Sequence, residues 1–204
     1  FGVVLLGPSG AESAVQIPVR LHNLVGSYEE VSIVAEADAR IHAGMANTNF
    51  GAQAHLYVGA NDINRSVARF DLSGIDPAYG IESAKIRVYV DAFGSTGVVA
   101  DLAASQLTAP WNEATVTWKT PWTVPGGDLV GPAVTVPISK ADVGKYLELD
   151  VTPWAQAWQA NPAANYGVIL HLVNQTKYTY YRLASSEFYT APERLSLVVT
   201  VAKP

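Results

Sequence analysis

Short runs rich in β-branched and aromatic residues recur along the chain at intervals of roughly ten residues, and this texture limits the fold more than any other feature. Gly, Pro, Asn and Asp interrupt the runs, as expected where strands end in turns. Apolar residues often alternate with polar ones, so that Ile86, Val88 and Val90 share one face of a predicted strand. The pattern predicts an all-β sandwich or barrel. The clearest runs are 16–21, 31–35, 55–58, 66–72, 84–90, 133–138, 146–151, 167–172, 179–183 and 195–202.

One short helix is predicted between two of these runs. Thr152 followed by Pro153 is typical of an N-cap and a first helical position. Trp154 and Trp158 then lie one turn apart on the same side of the helix. A weaker helical turn is predicted at 139–144.

Composition and charge exclude several classes of protein. The 204 residues are 49% hydrophobic and 15% charged, which is typical of a folded domain and not of a disordered chain. A net charge of −5 without a basic stripe disfavours nucleic acid as a partner. No apolar run approaches the ~20 residues of a membrane-spanning helix, so no membrane span is predicted. The chain starts at Phe1 and its single methionine is Met45, which a removed secretory signal would explain, so we expect an extracellular location, at the cell surface or in a secreted matrix.

Residues 1–30 are predicted to form an N-terminal extension to one β-sandwich domain at 31–204. The first six residues are apolar on both faces of a predicted strand, and a flexible hinge at 7–10 follows them. Such a strand needs a partner, which is either its own sheet or the next subunit. Donation to the next subunit would join the chain to itself, head to tail, as a homopolymer. The candidate donor strand consists of Phe1, Gly2, Val3, Val4, Leu5 and Leu6.

A series of short motifs follows in a defined order along the rest of the chain. These motifs include Ala37-Asp38-Ala39-Arg40-Ile41, Asn47-Thr48-Asn49-Phe50-Gly51, Arg69-Phe70-Asp71-Leu72-Ser73, Trp111-Asn112-Glu113, Leu149-Asp150-Val151-Thr152, Asn165-Tyr166-Gly167 and Ser185-Ser186-Glu187. Together they resemble the DNRLRE-type secreted β-sandwich domain over roughly 31–201. The resemblance implies a two-sheet antiparallel, jelly-roll-like sandwich in an extracellular protein without catalytic activity. It also implies similarity to alginate-binding carbohydrate-binding modules.

No catalytic motif is recognisable in the sequence. A nucleophile elbow, a zinc-protease motif, a phosphate-binding loop and a dinucleotide fingerprint are all absent. We therefore predict that the protein is not an enzyme. Two functions remain. The first is a structural subunit of a surface or matrix filament assembled by strand donation. The alternative is a carbohydrate-binding module that recognises a polysaccharide such as alginate.

Aromatic residues beside polar and cationic groups are the candidates for sugar binding. Trp122 lies in a predicted loop, and a cluster near the C-terminus comprises Tyr178, Tyr180, Tyr181 and Arg182. An aromatic ring provides an apolar platform for a pyranose, while arginine would meet the carboxylates of an acidic polysaccharide. The tyrosines would equally well fill cross-strand pairs of a sheet.

Aspartates at predicted strand edges raise the question of a bound metal. Asp38, Asp71 and Asp150 each occupy such a position. Each would serve either as a ligand of a structural calcium ion or as a cap that accepts hydrogen bonds from the next turn. Capping is the favoured interpretation, so no cofactor is predicted and calcium, at Asp38 or Asp150, is the alternative.

Overall fold

The computed structural model describes residues 27–95, 99–175 and 178–204, and it confirms the all-β prediction. One α-helix, α1, spans Thr152–Ala160 in these residues. None of the helices described has the length and apolar character to span a membrane. The strands are β1 (Tyr28–Val34), β2 (Ala37–His42), β3 (His55–Gly59), β4 (Asn64–Arg69), β5 (Gly80–Ser95), β6 (Ala100–Leu107), β7 (Leu129–Ile138), β8 (Tyr146–Asp150), β9 (Val168–Val173), β10 (Thr179–Ala184) and β11 (Ser196–Ala202).

The strands form a curled antiparallel sheet in which the long strand β5 belongs to both layers. The first part of β5 pairs with β11 on one side and with β8 on the other, and β1 adds to β11. The last part of β5 pairs with β10, which leads through β3, β4, β9 and β6 to β7. Strand β2 pairs with β4. The two sheets of the predicted sandwich are therefore continuous through β5.

The main core lies between these two layers. Ile86, Val88 and Val90 are each 0% exposed, as their alternation along β5 predicts. They pack with residues of β3, β4, β6, β8, β9, β10 and β11. Trp158 of α1 is 3% exposed and belongs to the same cluster. Each such large apolar side chain contributes about 1.5–3 kcal/mol on burial.

Helix α1 begins one residue earlier than predicted. Thr152 is the first helical residue and not the N-cap, a position that Val151 occupies. The reason is that the Thr152 hydroxyl is engaged elsewhere: it donates to Asp150 Oδ1 at 2.6 Å and accepts from the Ala84 amide at 2.9 Å. It thereby joins the helix to β5. The turn predicted at 139–144 is confirmed as a 3-10 turn at Lys140–Asp142.

A second, smaller core covers the outer face of the layer that contains β2, β4, β9 and β6. Val67 and Ile169 face this cluster, whereas the neighbouring residues Ala68, Val168 and Leu170 belong to the main core. The connection between β6 and β7, residues 108–128, closes it with Trp111 and Trp122. This part of the sheet is therefore buried on both faces.

Two short Asn-aromatic-Gly segments form the same local turn, in which the Asn side chain bonds the Gly amide. Asn49 Oδ1 accepts from the Gly51 amide at 3.2 Å, and Asn165 Oδ1 accepts from the Gly167 amide at 3.1 Å. Gly167 has a φ of +77°, which side chains disfavour, and a methyl group there would overlap the carbonyl of Ala68. Glycine is required at Gly51 because the chain approaches it closely: a methyl group there would overlap the main-chain carbonyl of Glu113.

Candidate functional site

Outward-pointing side chains of neighbouring strands form a polar and aromatic face on the outside of the sheet. On β3 the residues on either side of Tyr57 are fully buried in the main core, so Tyr57 points outward. On β10 the alternate residues Tyr181 and Leu183 are buried, so Tyr180 and Arg182 point outward. The antiparallel register places Arg182 directly opposite Tyr57.

The Tyr180 side chain lies between glycines of the two neighbouring strands. Its partners on the two neighbouring strands are Gly59 of β3 and Gly94 of β5. The ring lies directly above Gly94, where a methyl group would overlap it. The ring centroids of Tyr180 and Tyr57 are 6.1 Å apart, with 40° between their planes. Two tyrosine rings thus lie side by side on the outside of the sheet.

Two arginines lie beside Tyr57 on this face. The guanidinium carbon of Arg40 is 4.4 Å from the Tyr57 ring centroid, and Arg40 Nε donates to Asn64 Oδ1 at 3.0 Å. Arg182 Nε donates to the Asp91 carboxylate. Burial lowers the pKa of Arg40. Burial also acts to lower the pKa of Arg182, but the hydrogen bond and charge of Asp91 outweigh it and raise that pKa. Both side chains carry a positive charge at neutral pH. We call Arg40, Tyr57, Tyr180 and Arg182 the tyrosine–arginine face.

A histidine borders this face. His55 Nε2 is 3.4 Å from Asp91 Oδ2, and the His55 ring meets Phe188 edge to face at 5.4 Å. Burial and the charge of Arg182 lower the pKa of His55, against the opposing charge of Asp91. The imidazole is therefore neutral at neutral pH. Aromatic and cationic contacts continue across β5 and β8 through Tyr89, Tyr146 and Arg87.

The comparison with protein families identifies the group to which this fold and face belong. The family model for carbohydrate-binding module family 96 matches residues 29–200. The chain belongs to carbohydrate-binding module family 96. The predicted similarity to carbohydrate-binding modules is thus confirmed at the level of the family. Among curated proteins, no significant match to this family-96 module was found.

Two aromatic residues predicted to contact sugar are buried in the interior of the family-96 module. Trp122 is 6% exposed, packs in the second core and donates from Nε1 to the Thr117 carbonyl at 2.9 Å. Tyr181 is 0% exposed and faces the main core. Strand alternation turns Tyr181 inward, and the fold of the 108–128 connection does the same for Trp122. Neither ring presents a face to a ligand. The remaining predicted residues lie at the surface: Tyr178, which is 49% exposed, Tyr180 and Arg182.

A groove with a volume of about 430 Å³ opens between α1 and the end of β4. Its polar side chains are engaged within the protein. Arg69 contacts Glu36 and donates to a main-chain carbonyl at 3.3 Å. Asn165 and Gln159 donate to main-chain carbonyls at 2.8 and 2.9 Å. These hydrogen bonds join loops of the module and hold the polar side chains of the groove in place.

The aspartates predicted as calcium ligands or turn caps fall into two groups. Asp150 accepts from the amide of Thr152, and Asp71 accepts from that of Ser73, each at the start of a turn. Hydrogen bonds to Thr152 and Ser73 lower the pKa of Asp150 and Asp71, respectively. Both residues therefore cap turns. Asp38 differs, because it is fully buried beside two other carboxylates.

The predicted donor strand lies outside the described residues. Phe1, Gly2, Val3, Val4, Leu5 and Leu6 belong to the first 26 residues, which the structure does not describe. Assembly by strand donation therefore stays a prediction.

Proposed function

We propose that this family-96 module binds polysaccharide chains on the tyrosine–arginine face and has no catalytic role of its own. The observation that supports this most is the pair of outward rings of Tyr57 and Tyr180, 6.1 Å apart, with two charged arginines beside Tyr57. The apolar face of a sugar ring packs against an aromatic ring, and hydroxyls need polar partners beside it. Both requirements meet on this face.

The arginines favour an acidic polysaccharide. Guanidinium groups bind carboxylates with charge-assisted and often bidentate hydrogen bonds. Arg182 uses one of its five donors for Asp91, and its side chain is 36% exposed. Alginate, which the resemblance to alginate-binding modules implies, is the first acidic polymer to test.

Carbohydrate binding takes precedence over the filament hypothesis for two reasons. The family match supports it directly, and the face lies wholly in described residues. An extracellular location fits a polysaccharide partner and stays a prediction.

The proposal is tested by affinity electrophoresis through gels that contain alginate or a neutral polysaccharide. Wild-type protein should be retarded. Tyr180→Ala should weaken binding by about tenfold, or ~1.4 kcal/mol, as expected for an aromatic anchor. Tyr28→Ala is the matched control, because Tyr28 is 67% exposed on the edge strand β1. It should bind like wild type.

The salt dependence of binding tests the choice of an acidic ligand. If arginines meet carboxylates, affinity for alginate should fall as salt is raised, while affinity for a neutral polymer should not. Equal affinity losses in Tyr180→Ala and Tyr28→Ala, or no retardation of the wild type by any polymer, would overturn the proposal.

A further inference from the structure

Three carboxylates from distant parts of the chain converge beside the second core. Asp38 lies at the start of β2, Glu113 in the connection between β6 and β7, and Glu187 between β10 and β11. One carboxylate oxygen from each residue lies within 4.8 Å of the others. Like charges this close repel one another unless a cation or protons intervene.

Asp38 shows that this cluster is more than a patch of surface acids. The residue is 0% exposed, and its Oδ2 accepts from the Ser186 amide at 2.7 Å. Its Oδ1 is buried and has no hydrogen-bond partner among the described residues. Burial raises the pKa of Asp38 to about 7, with Ser186 opposing and the charges of Glu187 and Glu113 adding to the rise. A buried carboxylate oxygen without a partner is costly, and a bound cation would offset that cost.

The surrounding chain holds the three groups in place. Glu113 Oε1 accepts from the Asp38 amide at 2.8 Å, and Glu187 Oε1 accepts from the Ser186 hydroxyl at 2.8 Å. Asn49 Nδ2 donates to the Glu113 carbonyl at 2.6 Å. The carboxylates of Asp38 and Glu113 are therefore positioned by hydrogen bonds to other segments, and that of Glu187 by the adjacent Ser186, as the ligands of a built site are.

We propose that Asp38, Glu113 and Glu187 together bind one divalent metal ion, of which calcium fits best. The donor atoms are all carboxylate oxygens, which hard cations prefer, and no histidine or cysteine is in the cluster. Calcium accepts irregular arrangements of six to eight oxygens, and water would complete the shell on the side of the exposed Glu187. The unpartnered Asp38 Oδ1 would then be a ligand atom.

The ion would join three segments that the backbone does not connect directly. It would fasten the 108–128 connection and the segment that carries Phe188 to the start of β2. Its removal should therefore lower the melting temperature of the whole module, since a ligand that binds only the folded state stabilises it.

The test uses the whole chain, treated with EGTA and dialysed, with calcium itself as the probe. Isothermal titration calorimetry should give one calcium ion per chain, and thermal unfolding should shift to higher temperature as calcium is added. Glu113→Gln and Glu187→Gln should each weaken calcium binding at least tenfold. Both side chains lie outside the fully buried centre, so these variants keep the test usable if Asp38→Asn fails to fold. Glu82→Gln, an exposed acid on β5, is the matched control and should bind calcium like wild type.

Parallel titrations with magnesium and manganese decide the identity of the ion. Preference for either over calcium would overturn the choice of calcium. A melting temperature that is indifferent to EGTA and to all three cations would overturn the site itself, as would wild-type affinity in both glutamine variants. These readouts need no polysaccharide, so they are independent of the proposed function.

Discussion

The substitution Trp122→Ala distinguishes a core residue from a sugar-binding one. Trp122 is 6% exposed in the second core and donates a hydrogen bond to the Thr117 carbonyl. Truncating a buried tryptophan to alanine costs about 3–5 kcal/mol of unfolding free energy, and about 1 kcal/mol of this belongs to the hydrogen bond. In a chain of this size each kcal/mol corresponds to roughly 2–4 °C, so the melting temperature should fall by roughly 6–20 °C.

Urea unfolding followed by far-UV circular dichroism measures this free energy. The dependence of the unfolding free energy on urea concentration is compared between variants. Trp122→Phe is the matched control: it retains an aromatic ring but lacks the Nε1 donor, so it should lose only about 1–3 kcal/mol. The polysaccharide affinity of folded Trp122→Ala should equal that of wild type. A loss of stability below about 1 kcal/mol combined with a loss of polysaccharide binding would refute the core placement and make Trp122 a ligand platform.

Two further predictions concern stability. Gly167→Ala should cost more than about 2 kcal/mol, because alanine disfavours a φ of +77° and its methyl group would overlap the Ala68 carbonyl. Gly74→Ala is its control, since position 74 has open space, and equal effects in urea unfolding would contradict the argument. Burial, aided by the charge of Arg65, lowers the pKa of His171, so the unfolded chain takes up a proton first as the pH falls below ~6.5. The unfolding free energy should then fall by up to ~1.4 kcal/mol per pH unit as the pH is lowered, and it should fall less steeply in His171→Gln. Equal pH slopes in wild type and His171→Gln would show that His171 does not cause the loss.

Strand periodicity predicted most of the fold, because alternation is a local property of the chain. Residues 84–90 were predicted as a strand with one buried face, and Ile86, Val88 and Val90 are all fully buried. The second core was not predicted, since the 108–128 connection that covers it has no periodicity. Without a periodic pattern, the sequence presents Trp122 as a candidate sugar platform in a loop, and the packing of its side chain shows that it belongs to the core.

The site was predicted in part for the same reason. Alternation alone places Tyr180 and Arg182 on one side of β10, but their neighbour Tyr57 and the supporting Gly94 depend on a long-range register. The carboxylate cluster brings together Asp38, Glu113 and Glu187, which are far apart in the chain, so no local sequence pattern predicts it. The Asn-aromatic-Gly segment at 49–51 is a local sequence pattern that contacts this cluster, because the Asn49 side chain donates a hydrogen bond to the main-chain carbonyl of Glu113.

Calorimetry tests whether polysaccharide binds on the tyrosine–arginine face. Alginate oligosaccharides would be titrated into wild type and into the double variant Tyr57→Ala/Tyr180→Ala, both shown to be folded by circular dichroism. Wild type should bind measurably, and the double variant should lose affinity by about a hundredfold, or ~2.7 kcal/mol. Affinities that agree within about twofold would place the binding site elsewhere on the module and contradict the claim.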